Sequence, residues 1–276
     1  MPNKGALAEP AAEMMREAGY NGRRDSKELV ILDPENEIEL FFLRPRDIAV
    51  YVGQGTLDVG ITGRDLLLDS GSPATESMAL GFGASTFRYA ALAGSVTDVA
   101  ELGGRRVATS FPGLVRADLE RHGVQASVVR LDGAVETAVT LGVADVIADV
   151  VETGTTLRNA GLEVFGEPIL RSEAILVQRH GAESNPLLAV LTRRLLGVLT
   201  ASRYVMMDYD IRRELVEQAC KITPGLESPT VSPLRDENYV AVRTMVPRRI
   251  TNSVMDELYE VGARAILVTE IAACRL

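Results

Sequence analysis

The residues best equipped for chemistry lie between Gly142 and Leu157, in the run GVADVIADVVETGTTL. Val146 to Val151 is short and apolar, the pattern of a buried parallel strand, and one acid, Asp149, interrupts it near its end. Glu152-Thr153-Gly154-Thr155-Thr156 follows, small and rich in hydroxyls. An acid at a strand end and a Thr/Gly turn suit a sugar phosphate. The carboxylate accepts hydrogen bonds from ribose hydroxyls, and the turn offers N–H groups and hydroxyls to a phosphate where a helix begins. The same residues also suit a structural role, in which Asp149 caps a strand and the Thr–Gly pair is an ordinary turn. The local pattern leaves both readings open.

Other chemistries are disfavoured. His122 and His180 lie in polar segments with no nucleophile at a suggestive spacing, so Ser-His-Asp and Cys-His mechanisms are unattractive. Cys220 and Cys274 are unpatterned, which predicts a reducing compartment, no disulfide framework and no zinc site, with both thiols in the core. A net charge of −9 and a pI near 5.0 argue against nucleic acid as the main partner. Anionic substrates then require basic residues gathered locally. No apolar run reaches the roughly 18 residues of a membrane span, and MPNKGALAEP lacks the apolar region of a secretory signal, so a cytoplasmic location is expected.

The elements that must position these groups follow from periodicity. With 276 residues, 46% hydrophobic, the chain has material for one large or two to three modest domains. Ala8 to Ala18 is amphipathic, Ile38 to Leu43 extended, Arg46 to Val52 helical, and Val59 to Thr62 a buried strand before a helix at Gly63-Arg64-Asp65. This rhythm predicts a mostly parallel, helix-covered sheet. Phe87 to Ala93 leads to a second series: strand Arg106 to Ser110, helix Gly113 to His122, strand Ala126 to Arg130, helix Ala134 to Leu141, then the Asp149 strand. Glu173 to Gln178 can carry the chain back, and Pro186 to Tyr204 is a long helix. Two α/β lobes joined by two crossings make a cleft for a small ligand. After Tyr204 the order is βαββαβ: strands at Val205 to Asp208, Ser228 to Val231, Tyr239 to Val246 and Ala265 to Thr269, with helices at Arg212 to Cys220 and Asn252 to Val261. That is the ferredoxin-like arrangement, complete in itself.

At this point the chain resembles a known family, the long, three-domain ATP phosphoribosyltransferases. Glu136, Gly142, Ala144, Ile147, Asp149, Val150, Thr153, Gly154, Thr156 and Leu157 fill the constrained positions of the family signature. PNKGAL at 2–7, FFLRPRDIAVYV at 41–52, DVGITGRDLL at 58–67, LGFGASTFRYA at 80–90 and ITPGLESPT at 222–230 look like further family blocks. In the family several apolar residues precede the PNKG block. Here Met1 directly precedes Pro2, so most of the first strand is expected to be missing.

The resemblance implies a two-lobed, periplasmic-binding-protein-like α/β core and a ferredoxin-like regulatory domain. Lobe I would take residues 1–85 with 180–204, lobe II 86–179, and the regulatory domain 205–276. The implied reaction transfers the phosphoribosyl group of phosphoribosyl pyrophosphate to N1 of the adenine of ATP, releasing pyrophosphate, with Mg²⁺ as cofactor. This opens histidine biosynthesis. Thr153, Gly154, Thr155 and Thr156 would hold the 5′-phosphate and Asp149 the ribose hydroxyls. Glu136 either faces the site from the preceding helix or merely caps a helix or pairs with a neighbouring charge. Lys4 and Gly5, with Arg44, Arg64, Ser85 and Arg88, are candidates for ATP and pyrophosphate, Arg64 foremost; Asp149, Arg64 and Lys4 form the candidate catalytic set. No particular residues are assigned to the metal. Arg46 shares a basic face with Arg44, and Asp65 reads as a first-turn charge favourable to a helix dipole. The family's inhibitor, histidine, would meet Asp210, Ser228, Thr230 and Ala265. From the residues alone, Asp210 instead caps the helix expected at Arg212. A dimeric or hexameric homo-oligomer is also implied. A non-catalytic two-lobed binding protein and a histidine-binding regulatory module are the competing readings.

Overall fold

The computed structural model describes residues 1–22, 27–151, 154–181 and 185–275. Within it the chain forms two compact units, Met1–Arg16 with Tyr20–Leu188, and Glu17–Gly19 with Ala189–Leu276.

The first unit begins with α1 (Ala8–Glu17), the hairpin strands β1 (Val30–Asp33) and β2 (Ile38–Phe41), α2 (Pro45–Gly53), β3 (Val59–Gly63), α3 (Arg64–Ser70) and β4 (Ala74–Ala79). It continues through β5 (Ser85–Leu92), β6 (Arg106–Thr109), α4 (Pro112–Arg121), β7 (Ser127–Arg130), α5 (Thr137–Thr140), β8 (Val146–Val151), α6 (Thr155–Asn159), β9 (Leu162–Ser172) and β10 (Ala174–Arg179). Two sheets carry the lobes. The smaller has the order β3-β10-β4, and the larger β7-β6-β8-β5-β9. Residues 80–84 and 172–174 cross between them and are tied together where Leu80 N–H donates to Ala174 O (2.9 Å) and Ala174 N–H to Phe82 O (2.9 Å).

The expectation of a mostly parallel sheet holds only for β7-β6-β8, where helices make the crossovers that parallel pairing needs. β5 pairs antiparallel with β8 on one side and with β9 on the other, and β10 is antiparallel to both β3 and β4. Strand β10 therefore belongs to the first lobe's sheet, and the return crossing falls at 172–174 rather than at the expected 179/180. β8 is buried on both faces. Val146 and Ala148 pack with Phe87, Tyr89 and Val107, whereas Ile147 packs with Ala90, Ala138, Leu157 and Leu162. This two-sided burial is why its apolar run has no alternation.

At the N-terminus Pro2 bridges Leu43 in parallel, Asn3 N–H donates to Leu43 O (2.8 Å), and Leu43 N–H donates to Met1 O (2.9 Å). The residues before Lys4 thus lie strand-like beside residues 41–43.

Helix α7 (Pro186–Arg203) straddles the division between units. Most of it falls in the second unit, where the expected division was 204/205. There β11 (Tyr204–Arg212), α8 (Val216–Ile222), β12 (Thr230–Pro233), β13 (Tyr239–Pro247), α9 (Thr251–Val261) and β14 (Arg264–Glu270) build an antiparallel sheet of order β12-β13-β11-β14. This is the ferredoxin-like topology. β11 runs past its expected end at Asp208 because Val205, Met207, Tyr209 and Ile211 alternate into the core. No described helix is long and apolar enough to cross a membrane.

Candidate active site

Strand β8 delivers Asp149. Its register partner on β5 is Arg88, so both side chains leave the sheet on the same face, that of Ile147, Ala90 and Leu157. The Asp149 carboxylate accepts a hydrogen bond from the N–H of Val150 (2.8 Å), and it has no cationic side chain within ion-pair distance among the described residues. Burial is the largest influence on Asp149 and pushes its pKa above the usual carboxylate range; the nearby Glu136 carboxylate pushes the same way. The site is electrostatically uncomfortable for an anion and offers free acceptor capacity.

Beyond β8 the chain reverses at Gly154, whose φ of 69° is the left-handed conformation that a side chain disfavours. α6 follows at once, with Arg158 Nη2 donating to Thr155 Oγ1 (3.2 Å). Thr153, expected to hold phosphate, lies outside the described residues. Glu136 is half-buried at the start of α5, whose side-chain cap it does not supply. That start is strained: Ala134 has φ 47°, and its carbonyl accepts from both the N–H (3.1 Å) and the hydroxyl (2.8 Å) of Thr137. This turn replaces the first part of the helix expected from Ala134 to Leu141.

The crossings bring the basic candidates toward this edge. Ser85 pairs with Ser172, and Thr86 sits between Val151 on β8 and Arg171 on β9, its hydroxyl donating to Val151 O (2.9 Å). Two strand spacings, roughly 10 Å, therefore separate the β8 end from the Arg171 backbone. Arg64, at the first position of α3, reaches there. Its Nη1 donates to Arg171 O (3.3 Å), its Nε and Nη2 donate to the two carboxylate oxygens of Glu76 (2.7 Å each), and Nη2 also reaches Glu173 (3.3 Å). The preferred arginine is thus occupied by two glutamates in this state. The bidentate bond holds the Glu76 pKa below the usual range and raises that of Arg64. Lys4 and Gly5 are exposed, and the Pro2–Leu43 bridge sets them beside exposed Arg44. Leu7 packs against Gly83 of the crossing, which brings this cluster to the same end of the molecule. Arg88 donates to Gly166 O through Nη2 while its Nε is buried without a partner, and Asn3 Oδ1 is buried unpaired as well.

Asp65 stands in the first turn of α3, as expected, and the structure adds that its side chain is buried. Ser172 Oγ donates to Asp65 Oδ1 (3.0 Å), Asp65 N–H donates to Ser172 Oγ (3.1 Å), and Leu66 N–H donates to Asp65 Oδ1 (3.0 Å). Burial raises its pKa, and these hydrogen bonds oppose the rise. Ser172, Glu173 and Glu76 were missed because nothing in their local sequence marks them. Only the pairing of β10 and β9 with distant strands brings them to α3.

In the second unit Asp210 is a strand residue, not the cap of a helix: the expected helix at Arg212 begins at Val216, after a short 3₁₀ turn. Asp210 pairs with Ala241 and Arg264, on the sheet face opposite the core. Thr230 opposes Arg243, which in turn donates from Nε to Asp208 (2.7 Å), so Asp210 and Thr230 share that open face. Ala265 sits with φ 50° where the β11–β14 register shifts beside Asp210. Ser228 is exposed just before β12. Among the described residues no group of three or more His, Cys, Asp or Glu side chains forms a ready-made metal cage.

A two-lobed α/β core that presents an acid-bearing strand and a helix start, followed by a small βαββαβ domain, defines a multidomain α/β protein with a candidate small-ligand site. Residues 44–197 match the family model described as ATP phosphoribosyltransferase, and residues 201–273 match that described as HisG, C-terminal domain. Proteins named ATP phosphoribosyltransferase from Arthrobacter sp. (strain FB24) and Streptomyces coelicolor are 64% and 62% identical over 281 and 280 residues, covering all of this chain and 98% of each relative. One from Micrococcus luteus is 65% identical over 278 residues, with the same coverage. Among solved structures, a chain of the ATP phosphoribosyl transferase (HisG:HisZ) complex from Thermotoga maritima matches at 25% identity with a TM-score of 0.61, covering 71% of this chain and 96% of that one. The chain belongs to the ATP phosphoribosyltransferase family, whose name places it at the first step of histidine biosynthesis.

Proposed function

We propose that the cleft edge formed by β8, α6 and the two crossings joins ATP to phosphoribosyl pyrophosphate. The lone pair of adenine N1 forms a bond to the anomeric carbon as the carbon–oxygen bond to pyrophosphate breaks, the electron pair leaving with pyrophosphate. A transition state with oxocarbenium character needs orientation and charge stabilisation, not a protein nucleophile. The observation that carries this reading is Asp149: half-buried and desolvated, free of cationic partners among the described residues, and on the strand that precedes Gly154 and α6. Asp149 accepts from the ribose hydroxyls, and Gly154, Thr155 and Thr156, with Thr153, hold the 5′-phosphate. Arg88, Ser85, Lys4, Gly5 and Arg44 meet the pyrophosphate and the triphosphate. Arg64 joins them by exchanging Glu76 and Glu173 for phosphate oxygens, the same bidentate geometry with a more highly charged partner.

Mg²⁺ is commonly held by one or two carboxylates plus substrate phosphates, so it requires no protein cage. Asp149 and Glu136 are the carboxylates that would take the protein's share, and the ion would neutralise charge on the pyrophosphate. The open face carrying Asp210 and Thr230, with Ser228 and Ala265 beside it, binds histidine as inhibitor, Asp210 taking its ammonium or imidazolium. The working protein is a cytoplasmic homo-oligomer.

Pyrophosphate release from ATP plus phosphoribosyl pyrophosphate and Mg²⁺, with and without histidine, tests substrates, reaction and regulation together. Release that requires both substrates supports the reading, and binding without release would favour a non-catalytic binding protein. Asp210→Asn is expected to weaken histidine inhibition at least about tenfold, as loss of a charge-assisted hydrogen bond does, with uninhibited turnover retained. Native inhibition would remove Asp210 from the regulatory site.

A further inference from the structure

A second set of contacts joins the lobes independently of the crossings. Arg46, on α2, donates from Nη1 to Asp69 Oδ2 (2.7 Å) and from Nη2 to the carbonyl of Ser110 (2.8 Å), and its guanidinium lies 5.0 Å from the centroid of the Phe111 ring. Asp69, near the C-terminal end of α3, turns its other oxygen to α4, where it accepts from the N–H groups of Gly113 (2.8 Å) and Leu114 (3.2 Å). Those amides belong to the first turn of α4 and have no partner within that helix, so Asp69 caps α4 from another lobe. The Asp69 side chain is only 7% exposed. The approach is closest at Gly113, where a Cβ atom would stand 2.3 Å from Asp69 O, so the junction requires glycine.

The position of this junction matters. α2 and α3 pack with the smaller sheet, whereas Phe111 and Leu114 belong to the core of the larger one. Ser110 follows the C-terminal end of β6, the edge from which its neighbour β8 runs into the Gly154 turn. Ser110 Oγ also accepts from Gly133 N–H (3.4 Å), in the loop that leads to Glu136. One charged pair thus ties α2 and α3 of one lobe to the loops of the other that border the candidate site.

We propose that Arg46 and Asp69 are positioning residues, a latch that sets the opening of the cleft and hence the fraction of enzyme ready to take either substrate. The proposal rests on the reading that both substrates bind between the lobes. It adds that a charged pair touching neither substrate governs the affinity for both. When only part of the enzyme is competent, every apparent affinity falls by that same fraction.

The test is steady-state kinetics of pyrophosphate release by Arg46→Gln, Asp69→Asn and the double variant, each substrate varied with the other saturating. Both KM values are expected to rise together, by about three- to tenfold for loss of one charge-assisted pair, with kcat within about twofold of native. The double variant is expected to be no worse than the poorer single one, because the two residues act as one unit. A merely structural pair would lower the melting temperature and leave both KM values native. That result overturns the latch, as does a rise in only one KM, which would make Arg46 a substrate contact, a fall in kcat alone, or additive effects in the double variant. If Asp69→Asn fails to fold, Arg46→Gln leaves the Asp69 cap on α4 in place and decides by the same criteria. If the native protein releases no pyrophosphate, the proposed function fails first, and that outcome is separate from any result for the latch.

Discussion

Two strand-to-helix junctions of the core carry a desolvated acid, Asp65 buried and Asp149 half-buried, and they treat it differently. At β3–α3, Asp65 receives a serine hydroxyl and a backbone N–H, the serine lying 107 residues away. At β8–α6, Asp149 receives only the N–H of its own neighbour among the described residues, and faces Glu136. Burial raises the pKa of both. The first acid is satisfied by the fold and serves it, fixing the crossing to α3. The second bears the cost of desolvation with only one backbone N–H to offset it among the described residues, which is the observation behind its proposed role toward a ligand. The cations divide in the same way. Arg64 has its acidic partners supplied by the protein, whereas Arg88 keeps a buried Nε unpaired.

The contrast is breakable. The largest effect is expected from Asp149→Asn, which removes the charge proposed to contact ribose: turnover is expected to fall at least about tenfold, equivalent to about 1.4 kcal/mol or more, with the fold intact by circular dichroism. Native turnover would make the two acids equivalent. Next, Asp65→Ala leaves the Ser172 hydroxyl and the Leu66 amide without their partner and is expected to cost about 1–3 kcal/mol in urea unfolding; an unchanged midpoint would show that the Ser172 pairing contributes nothing. Gly154→Ala places a side chain at positive φ and is expected to cost about 1 kcal/mol, with the KM for phosphoribosyl pyrophosphate rising more than the KM for ATP. Equal rises would detach the turn from the phosphate.

The smallest and sharpest effect is in pH. Because burial holds the folded-state pKa of Asp149 above its unfolded value, ionisation opposes folding. That penalty is absent below the unfolded pKa and grows as pH rises through the folded one. Asp149→Asn is therefore expected to gain stability over the native protein as pH increases from the acid range to neutrality. Parallel melting curves across that range would contradict a desolvated, unpaired carboxylate.

Much of this was legible beforehand. The bounds of β8 match the apolar run because burial on both faces selects apolar side chains at its first three positions, Val146, Ile147 and Ala148. The βαββαβ order of the terminal domain follows from alternating Val205, Met207, Tyr209 and Ile211 and from two amphipathic helices. Strand β9 was not legible. Gly166 and Pro168 interrupt it, and an edge position tolerates both where a central strand would not. Strand β2 was expected from Ile38 onward, but its partner β1 and strand β4 were missed; in β1 the exposed Val30 and Leu32 obscure the pattern that marks a half-buried strand.

The sequence by itself determined where the acid, the glycine and the threonines stand along the chain, since a buried strand and the turn after it are specified by residues within a few positions of one another. It also determined the family, because many such short blocks recur at their expected spacing. The tertiary structure decided which charges are spent and which remain available. Arg64 finds Glu173 across 109 residues, and Asp69 meets the α4 amides across 44 and 45. Desolvation and ion pairing depend on which strands and helices become neighbours, and no local pattern encodes that.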